Sequence, residues 1–186
     1  MKTLEEIYTP QLKLRRMELS DLPSLIKYAN NKKIAENIFN ISYPYKESDA
    51  VFRFNVILQG LENENRYIFA ITYKTHNELI GEIGLNIDKE HKRAEVGYWI
   101  AEEFWGQGIA TEALGAALSF GFKSLKLNKI FATRFLDNVS SEKVLTKNGM
   151  IKEAELIEHY KIDGVYKSIN QYRLTKKEYF TIHQQD

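Results

Sequence analysis

The residue types most suited to chemistry stand in one short loop, Trp105-Gly106-Gln107-Gly108-Ile109-Ala110-Thr111, which follows a predicted strand and opens a predicted helix. Its small residues let the backbone approach a ligand closely. The first N–H groups of a helix lack partners within that helix, and the helix dipole favours negative charge at that end. The spacing therefore indicates a site for an anion such as a phosphate group, and such a site needs no basic side chain.

Two other kinds of phosphate loop disagree with this sequence. A P-loop ends in Gly-Lys-Ser/Thr, whereas the residues here are Gly108-Ile109-Ala110-Thr111. A Rossmann fingerprint requires Gly or Ala where Thr111 stands and an acidic residue about 20 positions later, in a region that reads Leu127-Asn128-Lys129-Ile130. By itself, the loop is better explained as a glycine-containing turn into a buried helix, so its neighbours in the chain must decide.

Two carboxylates on neighbouring predicted strands, Glu82 and Glu95, could take a proton from an amine. A turn at 89–92 would pair Asp88 with Arg93 and bring both glutamates to one face of an antiparallel hairpin. That face also holds Gly84, Asn86, Gly97 and Trp99, and the opposite, apolar face holds Ile83, Leu85, Ile87, Ala94, Val96, Tyr98 and Ile100. Carboxylates beside two glycines suit an ammonium group, although a sheet with one solvated face is the commoner explanation.

The elements that must position these residues alternate between strand-like and helix-like patterns. Three consecutive antiparallel strands are predicted at 67–73, 79–88 and 94–100. The helix that begins at the loop carries Leu114, Ala117, Leu118, Phe122 and Leu125 on one face. Further strands are predicted at 12–17, 129–135, 150–161 and 167–174, with a hairpin turn at Asp163-Gly164, and further helices after the caps Ser20, Ser48 and Thr175 and at 140–147 before Gly149. The stretch 32–45 is predicted to be irregular.

The composition is that of an ordinary globular domain, with 186 residues of which 44% are hydrophobic and 27% charged. No cysteine is present, which excludes disulfides and a cysteine nucleophile and fits a reducing compartment, so we expect a cytoplasmic protein. A formal charge of +1 gives no electrostatic footprint for nucleic acid, and no stretch reaches the ~18 apolar residues of a membrane span. We expect a single domain at 1–186, with its core at 12–174 and a C-terminal helix at 175–184.

The loop resembles the Arg/Gln-x-x-Gly-x-Gly/Ala signature of the GNAT superfamily of acetyltransferases through Gly108 and Ala110. Trp105 stands where that signature has Arg or Gln, and in this it is similar to the RimJ/RimL branch, whose members often read Tyr/Phe-Trp-Gly-Lys/Gln-Gly. Further resemblances span roughly 12–174 and lie at Leu14-Arg15 with Asp21, Gly81-x-x-Gly84, Glu95-Val96-Gly97-Tyr98, Asn138-Val139-Ser140-Ser141 and Lys147-Asn148-Gly149-Met150. By their order and spacing together, the chain is identified as a member of this family.

The resemblance implies an α+β fold, the three-layer acyl-CoA N-acyltransferase fold of GNAT proteins. Its central mixed, mostly antiparallel sheet is flanked by helices and splays after the strand 94–100. The implied reaction moves the acetyl group of acetyl-coenzyme A (acetyl-CoA) to a primary amine by direct attack in a ternary complex. No metal is implied.

The resemblance also implies which residues hold the donor. The first three residues of the following list line the thioester and the pantetheine arm, Gln107 to Thr111 take the pyrophosphate, and Asn138 and Ser141 approach the pantetheine and the sulfur. The expected residues are Trp99, Ile100, Ala101, Trp105, Gly106, Gln107, Gly108, Ile109, Ala110, Thr111, Asn138, Ser141 and Lys147. Without the family context, Asn138 would equally be a helix cap or a turn residue.

Amine acetylation needs a base, a donor for the developing oxyanion and a proton for the leaving thiolate. Glu82 and Glu95 are the first candidates for the base, and His159 is another because imidazole exchanges protons near neutral pH. Many family members use a tyrosine of the fourth helix as the acid, but Leu145 stands at the matching position. We expect Ser141 to take that role.

The implied acceptor is first the N-terminal amine of a ribosomal protein, with polyamines such as spermidine and aminoglycosides as alternatives. The family recognises acceptors in the stretch 32–45, and Phe39, Tyr43 and Trp105 could border the entrance. From other classes, a coenzyme A-binding sensor domain without catalysis and a nucleotide hydrolase remain as alternatives. A homodimer through the hairpin 161–167 or an edge strand fits the pattern but is not demanded by it.

Overall fold

The computed structural model describes residues 4–162 and 164–183, in which one sheet has the strand order β1-β2-β3-β4-β5-β6-β8-β7. The strands are β1 (Ile7–Tyr8), β2 (Leu12–Arg16), β3 (Arg66–Tyr73), β4 (Gly81–Asp88), β5 (Arg93–Ile100), β6 (Lys129–Phe135), β7 (Ile151–Ile162) and β8 (Val165–Thr175). The helices are α1 (Leu22–Ala29), α2 (Lys32–Ala35), α3 (Glu47–Glu62), α4 (Ile109–Ser119), α5 (Val139–Lys147) and α6 (Lys176–His183). Among these helices, none has the length and apolar character that crossing a membrane requires.

The sheet is mixed and mostly antiparallel, as predicted, and its single parallel junction joins β5 to β6. That junction is short, since register pairs run only from Arg93 with Lys129 to Glu95 with Phe131. Beyond it β6 stays paired with β8 as far as Phe135, while β5 stays paired with β4 as far as Ile100. The two halves of the sheet therefore separate, and the predicted splay is confirmed.

The predicted register of the β4–β5 hairpin is confirmed. Asp88 pairs with Arg93, Asn86 with Glu95 and Glu82 with Trp99. The turn between the strands is held by the Asp88 carboxylate, which accepts hydrogen bonds from the His91 backbone N–H at 3.1 Å and from Arg93 Nε at 2.9 Å. Alternation along both strands therefore assigns their residues to the two faces of the sheet as the sequence indicated.

Both faces of the sheet are packed, which corrects the prediction that one of them is simply solvated. On the side of α4, α5 and α6, the buried cluster includes Phe69, Ile83, Leu85, Val96, Leu114, Leu118, Phe122, Leu145 and Tyr179. On the side of α1, α2 and α3, it includes Leu25, Ile34, Tyr45, Phe54, Ala70, Leu79 and Trp99. The second cluster covers the end of β4 that carries Glu82 and leaves Gly97 exposed.

Local predictions were wrong in the first half of the chain. The stretch 32–45 is not wholly irregular, because α2 forms there once the Asn31 side chain accepts from the Lys33 backbone N–H at 2.9 Å. Helix α3 begins at Glu47, so Ser48 lies inside it, and the Asp49 carboxylate accepts from the Lys46 N–H at 2.8 Å. A 3-10 turn, Leu19–Asp21, replaces the Ser20 cap before α1.

The predicted capping box before α6 is confirmed by reciprocal hydrogen bonds between Thr175 and Glu178. The predicted hairpin turn at Asp163-Gly164 and the predicted C-terminal helix at 175–184 each include one residue outside the described residues, Asp163 and Gln184 respectively.

A buried ion pair fixes the start of the fold. Arg15 of β2 donates two hydrogen bonds to the Asp21 carboxylate, each at 2.7 Å, and the two side chains are only 3% and 4% exposed. Asp21 also accepts from the Glu18 N–H at 2.8 Å, which shapes the turn that leads into α1. Because burying either charge alone is expensive, the pair holds β2 and α1 in one relative position.

We expect Asp21→Ala to lower the free energy of unfolding by about 3–5 kcal/mol, because the substitution leaves the Arg15 guanidinium buried without its counter-ion. Urea unfolding at neutral pH measures the change. Glu36→Ala serves as the control, since it breaks an exposed pair with Lys32 at 3.9 Å and is expected to cost less than about 0.5 kcal/mol. Equal, small losses in both variants would contradict a structural role for Asp21.

Candidate active site

Two helices begin beside the opening between the half-sheets. Helix α4 follows the end of β5 after a short turn, and α5 follows the end of β6. Helix N-termini present unpaired N–H groups and the positive end of the helix dipole. The split is therefore bordered by two backbone edges and two helix starts, which suits a long, anionic ligand.

The predicted anion loop has the backbone that it needs. Gly106 and Gly108 have φ of 76° and 79°, a region that side chains with a Cβ rarely adopt, and Gly108 is the N-cap of α4 without any side-chain cap. A Cβ added at either glycine would meet nothing within 4 Å, so the loop lies open. The glycines are required by the conformation of the loop, which leaves the first N–H groups of α4 for a ligand.

Trp105 and Gln107 hold this loop in place. The Trp105 indole N–H donates to the Ile100 carbonyl at 2.6 Å, which ties the loop to the end of β5. The Gln107 side chain donates to the Glu103 carbonyl at 3.2 Å and accepts from the Tyr73 hydroxyl at 2.9 Å. Both side chains therefore support the loop through hydrogen bonds to neighbouring elements.

The residues predicted to line the pantetheine arm border the split through their backbone. The Trp99 side chain is only 4% exposed and packs in the cluster beneath α1, α2 and α3, and Ile100 and Ala101 are also buried. Along this edge, contacts from these three residues to a ligand would come from N–H and C=O groups.

At the start of α5, Asn138 is the N-cap, and its Oδ1 accepts from the Ser141 N–H at 3.0 Å. The cap interpretation of Asn138 is thus correct. The Ser141 hydroxyl lies 2.9 Å from the Tyr98 hydroxyl. Leu145, by contrast, is completely buried in the apolar core and can take no part in chemistry.

The far end of α5 is joined to the anion loop by a residue that the sequence did not single out. Asn148 Nδ2 donates to the Thr111 carbonyl, in the first turn of α4, at 3.1 Å and to the Val144 carbonyl at 2.9 Å. Lys147, which precedes it, is exposed at this junction. The structure thus brings the last turn of α5, with Lys147, alongside the first turn of α4.

Glu82 differs from the prediction made for it. Its side chain is buried and accepts two hydrogen bonds from Arg53 Nε of α3, at 2.7 and 3.0 Å. Burial lowers the pKa of the Arg53 guanidinium, but the adjacent carboxylate outweighs burial and the pKa is raised. The ion pair holds α3 on the sheet and occupies the carboxylate that the sequence offered as a first candidate for the base.

Glu95 lies where β5 and β6 separate and is only partly buried. Its Oε1 accepts a hydrogen bond from Thr133 Oγ1 of β6 at 2.9 Å. Among the described residues, no basic side chain lies within 4 Å of its carboxylate. Next to it on the same face is Gly97, where an added Cβ would meet nothing within 4 Å. The carboxylate therefore faces open space.

Aromatic rings form a wall near Glu95. Phe39 packs against Phe135 with ring centroids 4.7 Å apart and against Tyr160 at 4.1 Å. Burial, and then the charge of Glu95, raise the pKa of the Tyr160 hydroxyl. On β6, Phe135 lies four residues beyond Phe131, the register partner of Glu95. Aromatic faces beside a carboxylate are a favourable surrounding for an ammonium group.

His159 stands at the rim of this wall, exposed, with its ring edge-on to Tyr160 at 4.6 Å. It belongs to a bulge of β7 between Leu156 and Tyr160, in which Glu158 has a φ of 48°. A second residue type that could take a proton thus lies beside Tyr160.

Five residues that contribute contacts to this site were not among the predicted site residues, namely Arg53, Thr133, Tyr160, Tyr98 and Asn148. Their partners lie between 29 and 43 positions away for Arg53, Thr133, Tyr98 and Asn148. The position of Thr133 could have been predicted from the sequence. In a parallel alignment of β6 with β5 it lies two residues beyond Phe131, the partner of Glu95, and on the same face of the sheet.

Comparison with known proteins agrees with this geometry. The family described as "Acetyltransferase (GNAT) domain" matches residues 11–151. The uncharacterized N-acetyltransferase p20 of Bacillus licheniformis is 34% identical over 180 residues, covering 95% of this chain and 99% of the relative. The spermidine N(1)-acetyltransferase of Vibrio cholerae is 27% identical over 171 residues, covering 91% of this chain and 95% of the relative.

Among solved structures, RimL, a ribosomal L7/L12 alpha-N-protein acetyltransferase in complex with coenzyme A, superposes with a TM-score of 0.85. The two sequences are 22% identical, and the alignment covers 94% of this chain and 99% of RimL. The expected three-layer fold is thereby confirmed. The chain belongs to the GNAT family of acetyl-CoA-dependent N-acetyltransferases and is similar to its RimJ/RimL branch.

Proposed function

We propose that this acetyltransferase acts on the N-terminal amine of a protein, with ribosomal proteins as the first acceptors to test, and that Glu95 is its general base. The observation that carries the proposal is the Glu95 carboxylate, which has no basic partner among the described residues and lies at the point where the sheet opens toward the donor loop.

The residues at the split fit acetyl-CoA. The open loop with its two left-handed glycines offers the first N–H groups of α4, including those of Ile109 and Ala110, to the pyrophosphate. Beyond Glu95 the backbone of β5 has no strand partner on the side of β6, and its groups on that side can pair with the amide groups of an extended arm. The Ile100 carbonyl and the Ala101 N–H are not among them, since they are bonded to Trp105 and Ile80. Ser141 at the start of α5 supplies a hydroxyl for the sulfur end of that arm.

In this arrangement the acceptor reaches Glu95 as an ammonium ion. Glu95 takes one proton, directly or through a water molecule, and Thr133 keeps the carboxylate oriented by its hydrogen bond. The neutral amine then attacks the thioester carbonyl and a C–N bond forms, the new nitrogen centre releases its second proton to water, and the C–S bond breaks with its electron pair leaving on sulfur. The Ser141 hydroxyl stabilises the thiolate that results.

The charges of the pocket support an acceptor with one ammonium group. On this face Glu82 is neutralised by Arg53, so Glu95 is the carboxylate left for a cation, with Phe39, Phe135 and Tyr160 beside it. An extended polyamine carries several charges and gains from several carboxylates. The similarity to a spermidine acetyltransferase over most of both chains nevertheless makes a polyamine the second candidate.

Release of coenzyme A thiol from acetyl-CoA tests the proposal when it is followed with ribosomal-protein N-terminal peptides, spermidine and an aminoglycoside. We expect saturable turnover with a peptide, and loss of that turnover when the peptide N-terminus is already acetylated. Turnover confined to spermidine would transfer the assignment to the second candidate, and coenzyme A binding without turnover on any amine would favour a sensor domain.

Substituting the two glutamates separates the base from the structural carboxylate. Glu95→Gln is expected to lower kcat about 100-fold or more, because it removes the proton acceptor, with little change in the free energy of unfolding. Glu82→Gln is expected to cost about 3 kcal/mol of unfolding free energy, because Arg53 loses its counter-ion, and to keep kcat within about fivefold while folded. Steady-state rates and urea unfolding of both variants provide the comparison. The assignment is wrong if the two sets of effects are exchanged.

Substitutions at the two facing glycines of the hairpin, Gly84 and Gly97, are predicted to separate an effect on acceptor binding from an effect on stability. Gly97→Val places a side chain in the open space beside Glu95, so we expect the KM for the amine to rise about tenfold or more while coenzyme A binding is unchanged. Gly84→Ala would place a Cβ 2.5 Å from Ile68 Cγ1, so about 1–3 kcal/mol of stability should be lost without a change in KM. An unchanged amine KM in Gly97→Val would show that the acceptor binds elsewhere.

A further inference from the structure

A pair of hydroxyl groups spans the opening of the sheet. Tyr98 belongs to β5, beyond the last residue that pairs with β6, and Ser141 lies in the first turn of α5. The Tyr98 hydroxyl is 2.9 Å from Ser141 Oγ and 3.4 Å from the Ser141 carbonyl oxygen. The contact therefore connects two elements that border the split.

The hydrogen-bond capacity of the two groups limits what the pair can do. A serine hydroxyl has one proton to give and two lone pairs to receive with. When the phenol O–H donates to Ser141 Oγ, the serine proton is directed away from Tyr98 and is available to another acceptor. Burial raises the pKa of Tyr98 to about 12, so the phenol keeps its proton at neutral and mildly alkaline pH and can act as that donor.

We propose that Tyr98 is a positioning residue whose phenol O–H directs the proton of Ser141 toward the sulfur of coenzyme A. The proposal rests on the proposed function, in which Ser141 faces the sulfur. It assigns stabilisation of the leaving thiolate to Ser141 and Tyr98, because the position of the family's tyrosine acid is filled by the buried Leu145 while Tyr98 on β5 reaches the serine.

The proton balance of the reaction follows from the acidities. As the C–S bond breaks, sulfur leaves with the electron pair, the first ammonium proton resides on Glu95, the second has passed to water, and the thiolate receives a hydrogen bond from Ser141. A thiol has a pKa of about 8.5, well below that of Tyr98, so the phenol does not surrender its proton to sulfur. The pair stabilises the thiolate by hydrogen bonding, and the thiolate takes up a proton from solvent on release.

Binding of coenzyme A itself tests this without any turnover. Calorimetric titrations between pH 6.5 and 9.5 compare coenzyme A with desulfo-coenzyme A, which lacks the thiol. If Ser141 donates to the thiolate, the pKa of the bound thiol is lowered. The ratio of the affinity for coenzyme A to the affinity for desulfo-coenzyme A then rises with pH. We expect this preference to grow about tenfold over the range, which corresponds to a shift of one pKa unit.

The variants then show whether Tyr98 is responsible. Tyr98→Phe keeps the ring and is expected to abolish the pH-dependent gain, as is Ser141→Ala, and the double variant should show no further loss. Ser141→Thr should restore much of the gain because it retains a hydroxyl. Tyr28→Phe is the matched control, since it removes a phenol that donates to Glu78 at 2.9 Å outside the split, and it should behave as wild type.

Two outcomes would contradict the proposals, and they differ in which proposal they contradict. A gain that persists in Tyr98→Phe overturns the positioning role while leaving the proposed function intact. A wild-type protein that binds neither compound overturns the proposed function as well. Under the proposal, kcat of Tyr98→Phe should also fall about tenfold with the KM for the amine within twofold, a division that a loss of packing alone does not produce.

Discussion

Parallel pairing between β5 and β6 ends after Glu95 and Phe131, and the rest of the site depends on where it ends. Each half of the sheet is secured on its other side, β5 by β4 and β6 by β8, so neither strand needs the other to stay extended. The divergence leaves two backbone edges with unused hydrogen-bonding groups, which an extended ligand arm can satisfy. Because α4 and α5 begin at the ends of these same strands, the phosphate end and the sulfur end of the ligand are positioned by the same divergence.

The two glutamates of the β4–β5 hairpin show how packing sets the use of a residue. They lie on the same face and their strands are paired, yet only Glu82 is covered by α3, which brings Arg53 to it. Glu95 lies beyond this cover and beside Gly97, where no side chain fills the space. Alternation alone cannot distinguish them, since it reports the face of a residue and says nothing of which helix crosses above it.

The sequence was informative wherever the controlling contacts are local. The register of the β4–β5 hairpin, the loop before α4 and the Thr175–Glu178 cap all follow from neighbours in the chain, and the structure confirms each. Helix α2 was missed because Asn31 caps it through a side chain whose residue type equally favours turns. The ion pair of Glu82 was missed because its partner lies 29 positions away on a helix whose orientation the pattern does not fix.

The donor side and the acceptor side of the site are therefore encoded differently. Under the proposed function, the donor meets mainly backbone, in a loop and along one strand, so a few small residues at fixed spacing are enough to predict it. In the same proposal, the acceptor meets side chains from the segment before α3, from β5, from β6 and from β7, represented by Phe39, Glu95, Phe135 and Tyr160. Any of those elements can change its side chains without disturbing the glycine loop. One donor site can thus be kept while the acceptor changes, and the residues that choose the acceptor have to be read from the folded chain.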